Sequence, residues 1–484
     1  MSIRKPIVLG FGAASIWAAA LVLPTEGQQA SSSLMAGAAK VDITPAEGTL
    51  HPTDAIRDHL FARAIVVRSA SGCAVLVGLD QGGARNEMVQ DALTRSSKAI
   101  NCPPASFVVS ATHTHSGSTA GLGGGGDPTP KVVADAIVKA VTEASQKVAP
   151  ARIGFGTTNV YLNVNRDLFD HKWLQGPNLE AESDKTMAVI ALIGNDNNPI
   201  AFYLNYAMHP INFYLTGIIS ADFPGQASRY IERRYDDKTV AVFTQGASGN
   251  QNPLLLGPRM ALSSVRTRRP GGENDKFNQP TPYERTAGST NYVAEATAQM
   301  DVPLKEEERA AYKRAYDEAD EFVKAEGAIV GESAIDLFKN RMHLADMSSG
   351  IWGGEIAFTC PGRDRLDNSV REGVLPPYKD GAPVNLKVGL LRIGDINLVR
   401  VNGEVYNDIS LHLKNRFPGK NTIMVTLANG AANSGYIYSN AASSYLTFQV
   451  IGSRLKPYCA EDKIVSSALD LMSQSHGAII ATSP

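Results

Sequence analysis

The chain has 484 residues, with 46 lysines and arginines against 48 aspartates and glutamates, and therefore a formal net charge of -2. This balance argues against non-specific nucleic-acid binding, which needs a surplus of basic side chains on one face. Hydrophobic residues make up 43 % of the sequence, which is too large a share for a disordered chain and enough for a sizeable core. Beyond the N-terminus, no apolar run is long enough to cross a bilayer.

The N-terminus has the pattern of an export signal. Arg4 and Lys5 precede an apolar stretch over residues 7–23, and a short polar stretch with small residues follows it at 29–31. This order is typical of a secretory signal peptide, which we place at residues 1–30, so we expect a secreted or periplasmic protein. The apolar stretch also approaches the length of a membrane helix, and retention as an N-terminal membrane anchor is the alternative.

The four cysteines are Cys73, Cys102, Cys360 and Cys459. None stands at the spacing of a thiolate zinc site, so their chemistry is either that of disulfides in an oxidising compartment or that of buried free thiols. The sequence does not give the pairing.

Strand-like and helix-like segments alternate along the chain. Apolar and β-branched runs predict strands, and apolar residues at helical spacing predict helices. The predicted elements are strands at 61–67, 73–79 and 107–112, a helix at 131–148, strands at 187–193 and 200–206, a helix at 223–235, a strand at 240–244, two strands within 386–405 joined at Gly394, and a strand at 421–427. The pattern predicts a layered α/β domain with mixed sheets flanked by helices.

Residues 258–350 differ in composition and are expected to be a variable insertion within a single catalytic domain that spans 36–484. Residues 266–282 are rich in Gly, Pro, Asn and Arg, which predicts a long surface loop. Residues 305–326 are dense in Glu, Lys, Arg and Ala with few apolar side chains, which predicts a solvated helix.

Two histidines follow the predicted strand at 107–112. His113 and His115 alternate, and alternate residues of a strand share a face, so both rings can point into one cavity and hold a metal ion. A glycine-rich run at 121–126 follows, but it lacks the lysine and the spacing of a phosphate-binding loop. We interpret this run as a flexible rim of the cavity.

Two further segments carry polar residues at strand ends. His209 follows the strand at 200–206, and Asp222 comes soon after, where it could cap the next helix or orient a histidine. The strand at 240–244 leads into a tight turn that contains Ser248, but Asn250 occupies the final glycine position of a nucleophile elbow. A glycine-rich turn that lines the cavity is the preferred interpretation, and Ser248 as an esterase nucleophile is the alternative.

Four segments in this order, at 38–45, 110–117, 205–210 with 220–225, and 246–253, resemble the neutral/alkaline non-lysosomal ceramidase family. The resemblance covers residue 36 to the C-terminus and implies the catalytic N-terminal domain alone, without the family's C-terminal β-sandwich. It also implies a secreted or membrane-tethered zinc amidohydrolase that cleaves the N-acyl bond of ceramide. The expected partner is then a small-molecule or lipid substrate with an N-acyl group, with association at a membrane surface and no nucleic acid.

The family's site residues carry over to particular positions of this sequence. The resemblance implies a Zn²⁺ ion held by His113, His209, Glu404 and Tyr436, with Tyr438 as a substitute for Tyr436. It further implies that His115 and Arg166 are catalytic, with His115 polarising or protonating the reacting group and Arg166 close to the scissile amide. Two imidazoles, a carboxylate and a weak fourth ligand suit Zn²⁺ with a position open for water or a carbonyl.

The sequence departs from the family at three places. Asn252 stands where the family has a serine, which makes it a substrate-binding residue and not a nucleophile. Asn250 replaces an aspartate, and Phe448 with Gln449 replaces a Tyr-Glu pair. Three hypotheses follow, namely a zinc amidase, a serine esterase that uses Ser248, and a non-catalytic family member that binds lipid or glycan.

Overall fold

A computed structural model describes residues 34–50, 54–119, 126–267, 302–367, 372–417 and 421–482. The predicted signal peptide at 1–30, most of the glycine-rich run at 121–126 and most of the predicted loop at 266–282 lie outside the described residues. Within the described ranges, no helix combines the length and apolarity that a membrane span requires.

The strands and helices alternate along the chain as the sequence predicts. The strands are β1 Met35–Asp42, β2 Ala55–Ile56, β3 Phe61–Ser69, β4 Gly72–Leu79, β5 Phe107–Ala111, β6 Ala149–Asn159, β7 Asn163–Asp170, β8 Lys172–Asn178, β9 Thr186–Gly194, β10 Pro199–Tyr206, β11 Ile218–Ile219, β12 Val240–Gln245, β13 Gln251–Pro253, β14 His343–Leu344, β15 Ile351–Arg365, β16 Tyr378–Ile393, β17 Ile396–Val401, β18 Glu404–Val405, β19 Asn421–Val425 and β20 Tyr436–Ile437. The helices are α1 Asn86–Ile100, α2 Pro130–Gln146, α3 Asp222–Arg234, α4 Gly257–Thr267, α5 Glu306–Asn340, α6 Asn407–Arg416, α7 Phe448–Gly452 and α8 Ala460–Thr482.

The main sheet is mixed and, over the described ranges, has nine strands in the order β12-β10-β9-β6-β1-β3-β4-β5, with β14 paired to β6. The pairs β4–β5 and β10–β12 are parallel, whereas β10–β9, β9–β6, β6–β1, β1–β3 and β3–β4 are antiparallel. A second sheet has the order β15-β16-β17-β19, and its last pair is parallel. The predicted layered α/β fold with mixed sheets is therefore confirmed.

Four apolar clusters define the layers. One face of β1, β3, β4 and β5 packs against α1 and α2, while the opposite face packs against the second sheet. Strands β9, β10 and β12 pack on their outer face against α3, α4 and α5, and the second sheet is covered by α6 and α8. Helices thus flank two stacked sheets, which is how each sheet buries both of its faces.

Helix α5 carries the charged, solvent-facing side that the sequence predicts at 305–326, and its opposite side packs against α3. Its buried face carries small residues such as Ala319 and Gly327. A Cβ atom on Gly327 would lie 2.4 Å from the Gln226 side chain, so this close approach of the two helices requires glycine. The sequence does not reveal this packed side, because alanine and glycine pack closely while adding little hydrophobic signal.

The segment after β19 joins the two sheets. The Thr426 N–H donates to the Gln245 carbonyl at the end of β12 over 2.9 Å, and Ala428 forms a bridge with Ser110 in β5. Strands β5 and β12 lie at opposite edges of the main sheet. The segment at 426–428 contacts the ends of both strands and so holds them close together. This arrangement places the loops after β5, β10, β12 and β17 in one region.

All cysteines of the described ranges are paired, so the alternative of free thiols does not hold. Cys73 in β4 bonds to Cys102 after α1, and Cys360 in β15 bonds to Cys459 just before α8. The second bridge fixes the start of α8 to the second sheet.

Candidate active site

The loop after β5 positions the first histidine. The backbone N–H groups of Thr112 and His113 donate to the carbonyls of Leu79 (2.8 Å) and Gln81 (3.0 Å), which lie at the end of the parallel neighbour β4. His113 has a φ of 69°, a left-handed conformation that few non-glycine residues adopt. The chain therefore leaves the strand at Ala111, and a turn, not strand alternation, brings His113 and His115 together.

The His113 ring is fixed by a backbone carbonyl. Its Nδ1 lies 2.6 Å from the Gly82 carbonyl, and its Nε2 is buried without a hydrogen-bond partner. Because a carbonyl oxygen only accepts, Nδ1 carries the proton and Nε2 offers a lone pair.

His209 repeats this arrangement at the end of β10. Its backbone N–H and its ring Nδ1 each lie 3.0 Å from the Gln251 carbonyl, and its buried Nε2 also lacks a hydrogen-bond partner. The rings of His113 and His209 have centroids 4.8 Å apart. In both rings the proton is on Nδ1, so the Nε2 lone pairs of His113 and His209 point into the same space between the rings.

Glu404 completes the convergence. One of its carboxylate oxygens, Oε2, lies 3.3 Å from His113 Nε2 and 3.5 Å from His209 Nε2, and it has no hydrogen-bond partner. Glu404 lies in the two-residue strand β18, where it pairs with Tyr436 in β20. Tyr438, the substitute ligand, lies elsewhere because its hydroxyl donates to the Leu455 carbonyl over 2.8 Å.

His115 lies beside both rings and differs from them in its contacts. Its centroid is 4.8 Å from that of His113 and 5.6 Å from that of His209, and the ring of Tyr214 packs edge-on against it at 4.9 Å. Both of its ring nitrogens are buried without a partner. The three histidines form a group that could hold a metal ion, since their ligand atoms lie within 4.8 Å of one another. Tyr214 carries no sequence signal that would have identified it.

Burial and charge keep the imidazoles of His115 and His209 neutral. Burial, helped by the charge of Arg166, lowers the pKa of His209 to about 3. Burial and the neighbouring imidazoles also hold the pKa of His115 well below its usual value. Neutral imidazoles are the protonation state that metal-ligating histidines require.

Arg166 and Asn252 form one wall of the site. Arg166 Nη1 donates to Asn252 Oδ1 over 3.1 Å, and Nη2 donates to the Gly249 carbonyl over 2.6 Å. The guanidinium carbon lies 5.4 Å from the ring centroid of Tyr436 and 5.3 Å from that of Phe448. The structure thus brings the sequence-predicted residues Arg166, Asn252 and Tyr436 together, with Phe448 as an additional contact.

Asp222 does not contact these histidines. Its carboxylate accepts from the backbone N–H and the side-chain amide of Asn212, each over 2.8 Å, and from the N–H of Phe223. Asp222 is the first residue of α3 and orders the turn after His209. Asp222 therefore does not orient a histidine ring directly.

Ser248 lacks the partner that a nucleophile needs. Its buried hydroxyl accepts from Gln245 Nε2 over 2.8 Å, and the same nitrogen donates to the Met208 carbonyl. In the described part of the chain, no histidine forms a hydrogen bond with Ser248. The arrangement is that of a structural turn and not of a serine-histidine pair.

We therefore expect Ser248→Ala to change kcat/KM by less than about 3-fold, because it removes one neutral hydrogen bond of about 1 kcal/mol and no catalytic group. Steady-state kinetics and labelling with a fluorophosphonate check this expectation. Loss of activity together with loss of labelling would instead identify a serine esterase.

The fold and the histidine group define a layered α/β protein whose site is suited to a divalent ion. A family model described as neutral/alkaline non-lysosomal ceramidase, N-terminal, matches residues 51–362. The chain therefore belongs to the neutral/alkaline non-lysosomal ceramidase family, which is a family of hydrolases.

Solved structures show a similar fold. The crystal structure of neutral ceramidase from Pseudomonas aeruginosa has a TM-score of 0.61 at 15 % identity, covering 92 % of this chain and 75 % of that one. A structure described as ceramidase complexed with C2 has a TM-score of 0.57 at 15 % identity, covering 92 % and 76 %. A search of curated protein sequences finds no match. At this identity the structural likeness extends to the fold alone.

Proposed function

We propose that this protein is a zinc-dependent amidase that hydrolyses an N-acyl bond. The observation that carries the proposal is the convergence of three buried ligand atoms without hydrogen-bond partners, namely Nε2 of His113, Nε2 of His209 and Oε2 of Glu404. Buried polar atoms are almost always hydrogen-bonded, so three adjacent exceptions point to an ion that binds them. Two imidazoles and a carboxylate are a donor set that Zn²⁺ prefers at catalytic sites.

The ligands of the proposed ion are His113, His209, Glu404 and Tyr436. His113 and His209 have the second contact that metal-ligating histidines usually have, since each ring Nδ1 lies within hydrogen-bond distance of a backbone carbonyl. His115 has no such contact, which favours a role beside the ion over a role as ligand. When bound, a zinc ion would polarise a carbonyl group and make a water molecule more acidic.

The chain's own residues supply the proton transfer and the positioning. Hydrolysis forms a C–O bond, breaks the C–N bond and moves a proton from water to the leaving nitrogen. His115 is neutral and has two free ring nitrogens, so it can accept that proton and pass it on. Arg166, fixed by Gly249 and Asn252, binds the polar part of the substrate on the other side. A serine nucleophile is not required.

A lipid-like N-acyl substrate and an exported location belong to the same proposal. Two disulfides support an oxidising compartment, which agrees with the predicted secretory signal. Exposed apolar side chains at Phe169 and Leu375 support contact with a lipid surface. Phe169 lies in β7, the same strand that carries Arg166, so this surface is close to the site.

Metal analysis combined with a substrate screen tests the proposal. We expect about one zinc per chain and hydrolysis of one or more N-acyl lipids, lost on treatment with a chelator and restored by Zn²⁺. Hydrolysis that is indifferent to the chelator would contradict the metal mechanism. Zinc binding without hydrolysis of any N-acyl or O-acyl substrate would indicate the alternative, a family member that binds lipid or glycan without turnover.

A further inference from the structure

The wall formed by Arg166 and Asn252 offers hydrogen-bond donors. Asn252 Oδ1 accepts from Arg166 Nη1, which fixes the orientation of the amide because its nitrogen cannot accept. Among the described residues, the buried Arg166 Nε has no acceptor, and the Asn252 side chain has no hydrogen bond other than the one from Arg166. Two donors on neighbouring side chains are therefore left without a protein acceptor.

The charge of Arg166 also lacks a partner. The side chain is only 3 % exposed, and none of the described carboxylates lies within ion-pair distance of it. The adjacent carboxyl of Asp167 interacts electrostatically with Arg166 but forms no ion pair with it, and burial raises the pKa of Asp167 to about 7, so that this carboxyl is only partly ionised near neutral pH. By contrast, the equally buried Arg63 pairs with Asp80 at 2.7 Å and with Glu232 at 2.9 Å.

A buried positive charge without a partner is costly unless an anion joins it. Glu404 does not serve, since its carboxylate is directed at the two imidazoles. A divalent ion at the proposed site would add to the positive charge of this region. The missing group is therefore an anion that accepts hydrogen bonds.

We propose that Arg166 and Asn252 form a subsite for the carboxylate of an N-acylated amino acid, so that the substrate is an N-acyl amino acid and not an N-acylated amino alcohol. This inference rests on the proposed amidase function and names its substrate class. A carboxylate only accepts hydrogen bonds and neutralises the guanidinium, whereas a neutral hydroxyl leaves the charge unpaired.

The proposed carboxylate subsite lies next to the proposed metal ligands, where the amide bond would be cleaved. Arg166 lies against the ring of Tyr436, which pairs with Glu404. In an N-acyl amino acid the carboxylate is two bonds from the amide nitrogen, so both groups must bind in neighbouring parts of one site. The subsite also gives a reason for Asn252 in place of the family's serine. A serine hydroxyl both donates and accepts hydrogen bonds, so it suits a hydroxyl-bearing head group, whereas the Asn252 amide nitrogen only donates and so suits a carboxylate.

The test compares two substrates that differ only in the head group. N-lauroylglycine carries a carboxylate where N-lauroylethanolamine carries a hydroxymethyl group. We expect the wild-type protein to favour N-lauroylglycine by about 10-fold or more in kcat/KM, as for a charge-assisted hydrogen bond. Asn252→Ser should reduce this ratio by about 10-fold, and Asn198→Ser, the same change at an exposed turn, should leave the ratio unchanged.

Calorimetric binding of the ketomethylene analogues of both compounds gives a readout that does not depend on turnover, and we expect the same preference. Equal binding of the two analogues, a preference for the hydroxyl compound, or a ratio that Asn252→Ser does not change would overturn the subsite. If neither amide is hydrolysed, the proposed amidase function fails, and the binding of the analogues still decides whether the carboxylate subsite exists.

Discussion

His209→Ala should remove the bound metal and lower kcat by about 1,000-fold or more. The change takes away one imidazole of the ligand set and leaves the Glu404 carboxylate with one neutral imidazole fewer beside it. Loss of a metal that contributes several kcal/mol of transition-state stabilisation corresponds to a factor of this size. Zinc content by elemental analysis and steady-state kinetics measure the two effects, and His113→Ala should behave in the same way.

The matched control is His171→Ala, because the His171 side chain is 98 % exposed and lies outside the site. This variant should keep both zinc and activity. Circular dichroism and thermal unfolding establish that the site variants remain folded. Full zinc occupancy in folded His113→Ala and His209→Ala would contradict the ligand assignment.

His115→Gln should keep the zinc and lower kcat by about 100-fold to 10,000-fold, which is the range for loss of a general acid–base group. Glutamine can fill part of the space of the ring but cannot accept and release a proton near neutral pH. The measurement is zinc affinity by competition with a chelator, together with kcat for the same preparation. This variant separates the two roles that the geometry of His115 allows.

A loss of zinc affinity in His115→Gln equal to that in His209→Ala would make His115 a ligand. The ion would then be held by the three-histidine group, whose ligand atoms lie within 4.8 Å of one another. Unchanged affinity and unchanged kcat would remove His115 from the mechanism altogether.

Much of the main sheet could be predicted from the sequence because its central strands are buried, apolar runs. The predictions at 61–67 and 200–206 agree with β3 and β10. Strand β6 was not predicted, since it contains Gly154 and Gly156. A Cβ atom on Gly154 would lie 2.6 Å from Met342 Sδ, and one on Gly156 would lie 3.0 Å from Leu337 Cδ1. These glycines are needed for tertiary packing, and the same glycines weaken the strand pattern.

The residues of the candidate site could be named from the sequence, but their arrangement in space could not. Glu404 and Tyr436 came from the resemblance to the family, because nothing in the local pattern marks them as ligands. The carbonyls of Gly82 and Gln251 orient the two imidazoles, and a backbone group leaves no trace in the sequence. Strand alternation was the wrong reason for the proximity of His113 to its neighbour, since a left-handed turn brings them together.

Anomalous diffraction at the zinc edge, from crystals of the zinc-loaded protein, tests the central assignment most directly. The account predicts one strong peak at about 2.0–2.2 Å from Nε2 of His113, Nε2 of His209 and Oε2 of Glu404, with the Tyr436 hydroxyl on the same side. A peak outside this group, or an ion held by His113, His115 and His209 with Glu404 beyond ligand distance, would contradict it.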